Sequence, residues 1–525
     1  MNILHKPMLK EAFVLSGIAA TALLSLRGSL WQRGAGLVCS LAVLLVIAFR
    51  FGFIQKALSG LTKWTVSFAG ILSPLAAYRL AIDFNRIYNR RALAVLLAGA
   101  ALIALFFFMH WFVSRAFTFA KEFSIRMDRA ERLFLAVCIP LFCIAVALTF
   151  SVTDAFYSPK PAGYAVYDVV YTTDSSVLMD TNTYQSVNAK ENDIRHPLFG
   201  VFAMPFGLLA GVIARLLFFL PNAYPIMIGM VQTIPLLCGL LMLARLMRLT
   251  GAVKVGFFLL SAASFPALLY TLTMERYVFT FFWLVLLIYL SAEKKGGREL
   301  AYIAATGATL TTGVLFPLLT GGGGFQKRVL VIARCALKFF AVVAVFGQLP
   351  LFLNAVDSLQ GLTRFTGAGV AFSDRLLQYI QFIASCFTMP PSGLDTTTYG
   401  YPTWQAEPAV SVSILGLLLL FAAAAGFILN RKSLFAQICA GWAAFSFLIL
   451  CVVGWGTAEN GLVLYTLYFS WAFLSLIVLL IEKLFARWKP LRVSLYATAM
   501  AAMLTINLPG MAELIRFGIE TYPVR

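Results

Sequence analysis

The chain has 525 residues, of which 61% are hydrophobic and only 12% charged, and its mean hydropathy is +0.87. A soluble domain carries roughly 25% charged residues, so this composition excludes a soluble globular fold and indicates a polytopic membrane protein. The net charge of +19 does not point to nucleic acid: the basic residues sit in short clusters between apolar runs, where cytoplasmic loops collect them.

Apolar stretches close to the ~20 residues that a helix needs to cross a bilayer recur from end to end. Unbroken runs such as VGFFLLSAASFPALLYTL read as helices and not as the alternating strands of a barrel. The expected fold class is all-α: a transmembrane helical bundle of about 12–14 helices, with extracytoplasmic loops carrying short interfacial helices. Four apolar runs come first, near 11–27, 35–54, 62–82 and 92–113. The charged connector SRAFTFAKEFSIRMDRAER (114–132) then closes an N-terminal membrane module, residues 1–132.

A second region, 133–355, begins with a helix over 133–152 and continues into a large outer loop, 153–222. Basic clusters at 244–254, 292–299, 326–338, 430–433 and 482–492 are separated by pairs of crossings. All can be cytoplasmic together, which leaves the loop outside. Arg79, Arg86, Arg90 and Arg91 depart from this pattern. Residues 196–221 read either as an interfacial or re-entrant helix or as a plain crossing. Residues 301–325 are too short for two crossings at about 1.5 Å per residue, which predicts two broken helices around FPLLTGGGG. A further outer loop spans 356–410; there Leu376, Leu377, Ile380 and Ile383 recur at helical spacing and predict a helix lying on the membrane face. Residues 411–525 supply the C-terminal membrane helices. The eight cysteines lack metal or disulfide spacing and read as buried thiols, with Cys386 expected near the outer surface.

Chemistry-bearing residues concentrate outside. Residues 153–196 hold Asp154, Asp168, Asp174, Asp180, Glu191 and Asp193 against Lys160, Lys190 and Arg195, so six of the 22 acids fall in 44 residues. A carboxylate at the mouth of a bundle can act as general base; Asp174 and Asp180 are the candidates. A guanidinium or imidazole can hold an anionic leaving group, a role that fits Arg195 and His196. Glu275 and Arg276 form a charged pair at an outer turn. Glu459 and Asn460 mark another helix mouth, with Tyr465 and Tyr468 about one turn apart beyond it. No G-x-x-x-x-G-K-[ST] loop is present to bind ATP. No H-E-x-x-H occurs, and the three scattered histidines do not compose a zinc site.

An outward helix, an acidic loop, the segment RHPLFGVFAMPFG, a helix ending LARLMRLTG and then LTMERYVFTFFWLVLLIYL together resemble the GT-C superfamily of membrane glycosyltransferases. That superfamily includes oligosaccharyltransferases, protein O-mannosyltransferases and lipid A aminoarabinose transferases. The similarity covers roughly residues 134–350, and the tyrosine-bearing stretch 461–482 resembles a later element of the family. The resemblance implies an inverting transfer from a polyprenyl-phosphate-linked sugar to an extracytoplasmic glycan, lipid or protein acceptor, in a bacterial inner membrane with the site facing outward. It implies a loop acid as base (Asp174 or Asp180), and Arg195, His196, Glu275, Arg276 and Tyr465 near the substrate phosphate. No tight Asp-x-Asp or Asp-Glu pair occurs in the first loop, so the motif decides neither the base nor a divalent metal. A transporter or flippase of lipid-linked saccharides would place polar groups near the midplane, and a glycan polymerase would rely on basic groups in its outer loops; both stand as alternatives.

Overall fold

A computed structural model describes residues 7–26, 62–159, 168–186, 193–320 and 324–524, with a few isolated positions between 29 and 38. It is 76% helical with almost no strand, so the apolar runs are membrane helices and not barrel staves. Among the described residues eight helices are long and apolar enough to cross a membrane, or nine if one bent pair counts as a single span; Arg276–Ala292 and Ile414–Asn430 are apolar but shorter. The chain is an all-α, multi-pass membrane protein. The expected run 35–54 lies almost wholly outside the described residues, and several other expected crossings are shorter helices, so the described count falls below the expected 12–14.

The chain divides into two compact units, each assembled from separate stretches. The first comprises Met1–Met127, Thr181–Ile213 and Arg298–Ser358. Its helix Lys63–Tyr88 opens with a reciprocal Thr62–Thr65 capping box and closes at left-handed Asn89, which satisfies backbone groups that a helix end leaves bare. The next helix, Arg91–Ile125, runs through most of the expected connector and turns only near 126–128. Residues 199–216 form one apolar helix. Residues 298–319 form the helix Arg298–Ala308 followed by a 3₁₀ stretch, Leu310–Leu319, before the helix Phe325–Val345.

The second unit comprises Asp128–Asp180, Ala214–Gly297 and Leu359–Arg525. Its helix Arg129–Val152 starts on a capping box formed by Asp128 and Glu131. Glu131 is buried, and it receives Arg245 at 2.7 Å and Lys254 at 3.0 Å, while Lys254 also reaches Asp128 at 2.5 Å. This charge network ties three helices, and its members depend on one another because removing a single partner would strand a buried charge. The amphipathic helix predicted in the second outer loop is present as Phe372–Ser385: Ile380 and Ile383 are buried and Leu376 faces outward. Cys386 is a correction. It is not near the surface but buried at the C-cap of that helix, because the chain turns inward there toward Phe265 and Asn507.

One broken helix decides where the turn before Arg276 sits. Helices Gly251–Ala263 and Phe265–Leu272 meet at an angle of 55°. Ser264 is extended and Pro266 follows it, so the first helix cannot continue its ladder. The Phe265 N–H donates to the carbonyl of Phe387, and the fully buried Asn507 covers the rest of the break. Its amide donates to the carbonyls of Ala263 (2.8 Å) and Phe387 (3.0 Å), and its oxygen accepts from the N–H of Met389 (2.7 Å). Broken backbone survives at membrane depth only with such cover. Asn507→Leu keeps the branched shape but leaves the Ala263 carbonyl and the Met389 N–H without this partner, each at about 1–3 kcal/mol. Thermal unfolding of the detergent-solubilised variant should fall by several degrees; an unchanged transition would show that Asn507 does not close the break.

Candidate active site

Beyond the break, the short turn Thr273–Glu275 leads into the helix Arg276–Ala292. The turn is fixed from behind: Gln232 donates to the carbonyls of Tyr270 (3.2 Å) and Thr273 (3.0 Å). The N–H of Met274 donates to Phe156. Glu275 and Arg276 are thereby held with 1% and 2% exposure, far drier than a charged pair snorkelling at a helix end would be.

The facing wall comes from residues 168–180. Tyr171 and Thr172 have φ of +49° and +57°, conformations that a β-branched residue such as Thr adopts only under constraint. The constraint is visible. The Tyr171 N–H donates to the carbonyl of Trp404, and the Trp404 N–H donates to that of Val169. The Tyr171 hydroxyl donates to Ser392 Oγ (2.8 Å) and accepts from the Trp404 indole (3.2 Å). Ser392 and Trp404 belong to the two-stranded hairpin Ser392–Asp395 and Thr403–Ala406, so the hairpin clamps a tight turn. That turn delivers Asp174 to the start of the helix Ser175–Asp180.

There the two walls meet. Arg276 Nη1 lies 2.7 Å from Asp174 Oδ2, and the backbone N–H of Asp174 donates to Glu275 Oε2 at 3.0 Å. Asp168 lies close enough to Asp174, Glu459 and Arg276 to feel the charge of each. The cluster therefore contains the carboxyls of Asp168, Asp174, Glu275 and Glu459 beside the guanidinium of Arg276. Burial and the neighbouring Asp174 charge push Glu275 up, to about 8. Burial, then Asp174 and Glu459, raise Asp168 likewise, against the pull of Arg276. The raised values favour the neutral forms of these two carboxyls, which eases the repulsion among the acids gathered beside Arg276.

Asp174, Glu275 and Arg276, singled out in the sequence, thus come together. Tyr465 packs edge-on against Tyr277 (5.7 Å between centroids), and its hydroxyl accepts from the Trp455 indole at 2.7 Å. Tyr468 also packs on Tyr277, the residue that follows Arg276, and all three tyrosines are buried. Asp180 is exposed at the end of its helix and accepts from Ser158 at 3.0 Å. Arg195 and His196 belong to the first unit. Arg195 pairs there with Asp193 at 2.6 Å, and His196 Nδ1 lies 2.7 Å from the carbonyl oxygen of Ala308. Asp168 appears in the sequence as one acid among six, and only its buried placement beside Arg276 distinguishes it.

Nothing among family models, curated proteins or solved structures matches this chain. Its chemistry is therefore read from the site alone. Among the described residues no three His, Cys, Asp or Glu side chains are grouped so as to hold a metal ion, and no ligand set for a divalent cation is assembled around Arg276.

The raised carboxyls make stability depend on pH with a definite sign. A carboxyl near 8 when folded and near 4.5 when unfolded stabilises fully below the unfolded value and loses that contribution as pH rises through 8. The solubilised protein should therefore lose thermal stability between about pH 4.5 and 8, and Glu275→Gln should flatten that loss. Parallel curves for the two proteins would show that Glu275 is already ionised at neutral pH.

Proposed function

We propose that the chain is an integral membrane glycosyltransferase that moves a sugar, with inversion, from a polyprenyl-phosphate carrier to an acceptor hydroxyl on a glycan, lipid or protein. One observation carries the reading: a desolvated guanidinium, Arg276, stands in a cluster of carboxyls at a turn between apolar helices. The reaction needs these two parts. The acceptor hydroxyl must surrender a proton to a nearby base, and the departing polyprenyl phosphate must be met by a fixed positive charge. No nucleotide is required, because the bond from sugar to phosphate already holds the driving energy.

Tyr277, Tyr465 and Tyr468 pack on one another, with Tyr277 next to Arg276 in the chain, and we propose that this aromatic cluster lies near the carrier phosphate. The setting at the helix ends favours transfer over transport, since a carrier would place its polar groups near the midplane. We place the site on the outer face of a bacterial inner membrane, opposite the basic loops.

Membrane vesicles containing the full chain retain the natural acceptor and can be supplied with a panel of radiolabelled polyprenyl-phosphate monosaccharides. At least one donor should be cleaved to free polyprenyl phosphate as label passes to the acceptor. Arg276→Gln should lower that rate by about 100-fold or more, as when a fixed stabilising donor is removed. Movement of intact donor across the bilayer with no cleavage would support the transporter reading instead.

A further inference from the structure

We propose that Asp168, rather than Asp174, is the carboxyl that takes the proton from the acceptor hydroxyl, and that Asp174 is a positioning residue for Arg276. This rests on the glycosyl-transfer reading above and assigns the roles within the same site.

The two acids are placed very differently. Asp174 already has work to do: Oδ2 grips Arg276 at 2.7 Å, and its backbone N–H is held by Glu275. A carboxylate paired so closely with a guanidinium would have to give up that pair to accept a proton. Asp168 has no such commitment. Its Oδ1 is buried and has no hydrogen-bond partner among the described residues. A buried carboxyl oxygen left unpaired is costly, and native proteins keep such groups where a ligand completes them. An acceptor hydroxyl would do so.

The backbone of Asp168 is held for the task. Its N–H donates to the Tyr401 hydroxyl at 3.2 Å, and the following Val169 is pinned to Trp404. The charged and titratable groups around it are Asp174, Arg276 and Glu459, with Tyr399 and Tyr401 on the hairpin side. Glu459 is exposed and gives the cluster an open edge.

The step balances without a further reagent. The acceptor oxygen forms the new bond to the anomeric carbon, and the bond from that carbon to the phosphate oxygen breaks. Polyprenyl phosphate leaves with the electron pair, beside Arg276. The hydroxyl proton passes to Oδ1 of Asp168 in its ionised form, which Asp168 reaches by first giving its resting proton to water, and afterwards to the departing phosphate or to water. A base whose proton affinity lies close to ambient pH is well matched to this exchange.

Two readouts on the full chain test the assignment. The first needs no substrate: infrared difference spectra of the purified protein should show protonated-carboxyl stretches titrating near pH 8. Asp168→Asn should remove one of them, Glu275→Gln the other, and Asp174→Asn neither. The second is donor cleavage in vesicles. Asp168→Asn should lower kcat by about 10²–10⁴-fold, the range for loss of a general base, with KM for the donor nearly unchanged. Asp174→Asn should instead raise that KM and leave most of kcat, because it loosens Arg276. If Asp168→Asn still cleaves donor within a few fold of the parent, or removes no titrating carboxyl, the assignment is overturned. A parent chain that cleaves no donor at all, with the Asp168 titration intact, would sink the transfer reading and with it the role of base, while leaving the buried proton of Asp168 established.

Discussion

The site depends on one ion pair between residues about a hundred positions apart in sequence, Asp174 and Arg276. A buried guanidinium cannot stand alone in a medium of low dielectric, and a pair of this kind is retained only where its geometry is fixed and its remaining groups are satisfied. Everything around it serves that condition. The broken helix ends at the turn that presents Arg276, Gln232 and Asn507 absorb the backbone groups that the break and turn expose, and the hairpin holds the opposite loop in place. The proposed function draws on the same requirement: a desolvated guanidinium among carboxyls is suited to holding a departing phosphate, and burial drives Asp168 and Glu275 toward holding protons.

The loop pays for its position in strain. Two consecutive residues in the left-handed region, one of them β-branched, cost of order 1–3 kcal/mol each. They are kept there by backbone pairing with Trp404 and by the hydroxyl of Tyr171. Strain of this kind gathers at sites that must aim a side chain, and here the turn aims Asp174. Residues remote from the chemistry, Ser392 and Trp404 among them, therefore share in setting the geometry of the ion pair.

The membrane helices were legible because their signal is local. Apolar runs at 62–82 and 133–152 became the helices Lys63–Tyr88 and Arg129–Val152. The amphipathic helix at 372–385 was legible for the same reason, through its spacing. The break at Ser264 and Pro266 was not seen within the run VGFFLLSAASFPALLYTL, because an apolar stretch looks continuous until a distant Asn507 is known to cover the interruption. Glu275 and Arg276 stood out as charges between oily segments, but their dryness and their pairing with Asp174 are properties of contact and not of composition. Asp168 was hidden most completely: among six acids in one loop, only its surroundings separate it from a solvated carboxylate. Cys386 misled in the opposite way, since a position next to an outer loop does not reveal that the chain turns inward there.

The central interaction can be tested without knowing the sugar. In a double-mutant cycle on Asp174→Asn and Arg276→Gln, read by thermal unfolding of the solubilised full chain, the double variant should be more stable than the sum of the two single losses allows. The coupling should be about 1–3 kcal/mol, because Asp174→Asn strands the buried Arg276, Arg276→Gln leaves the half-buried Asp174 without its cation, and the double change does neither. Additive losses would mean that the two side chains do not sustain each other, and the site built on their pairing would not stand.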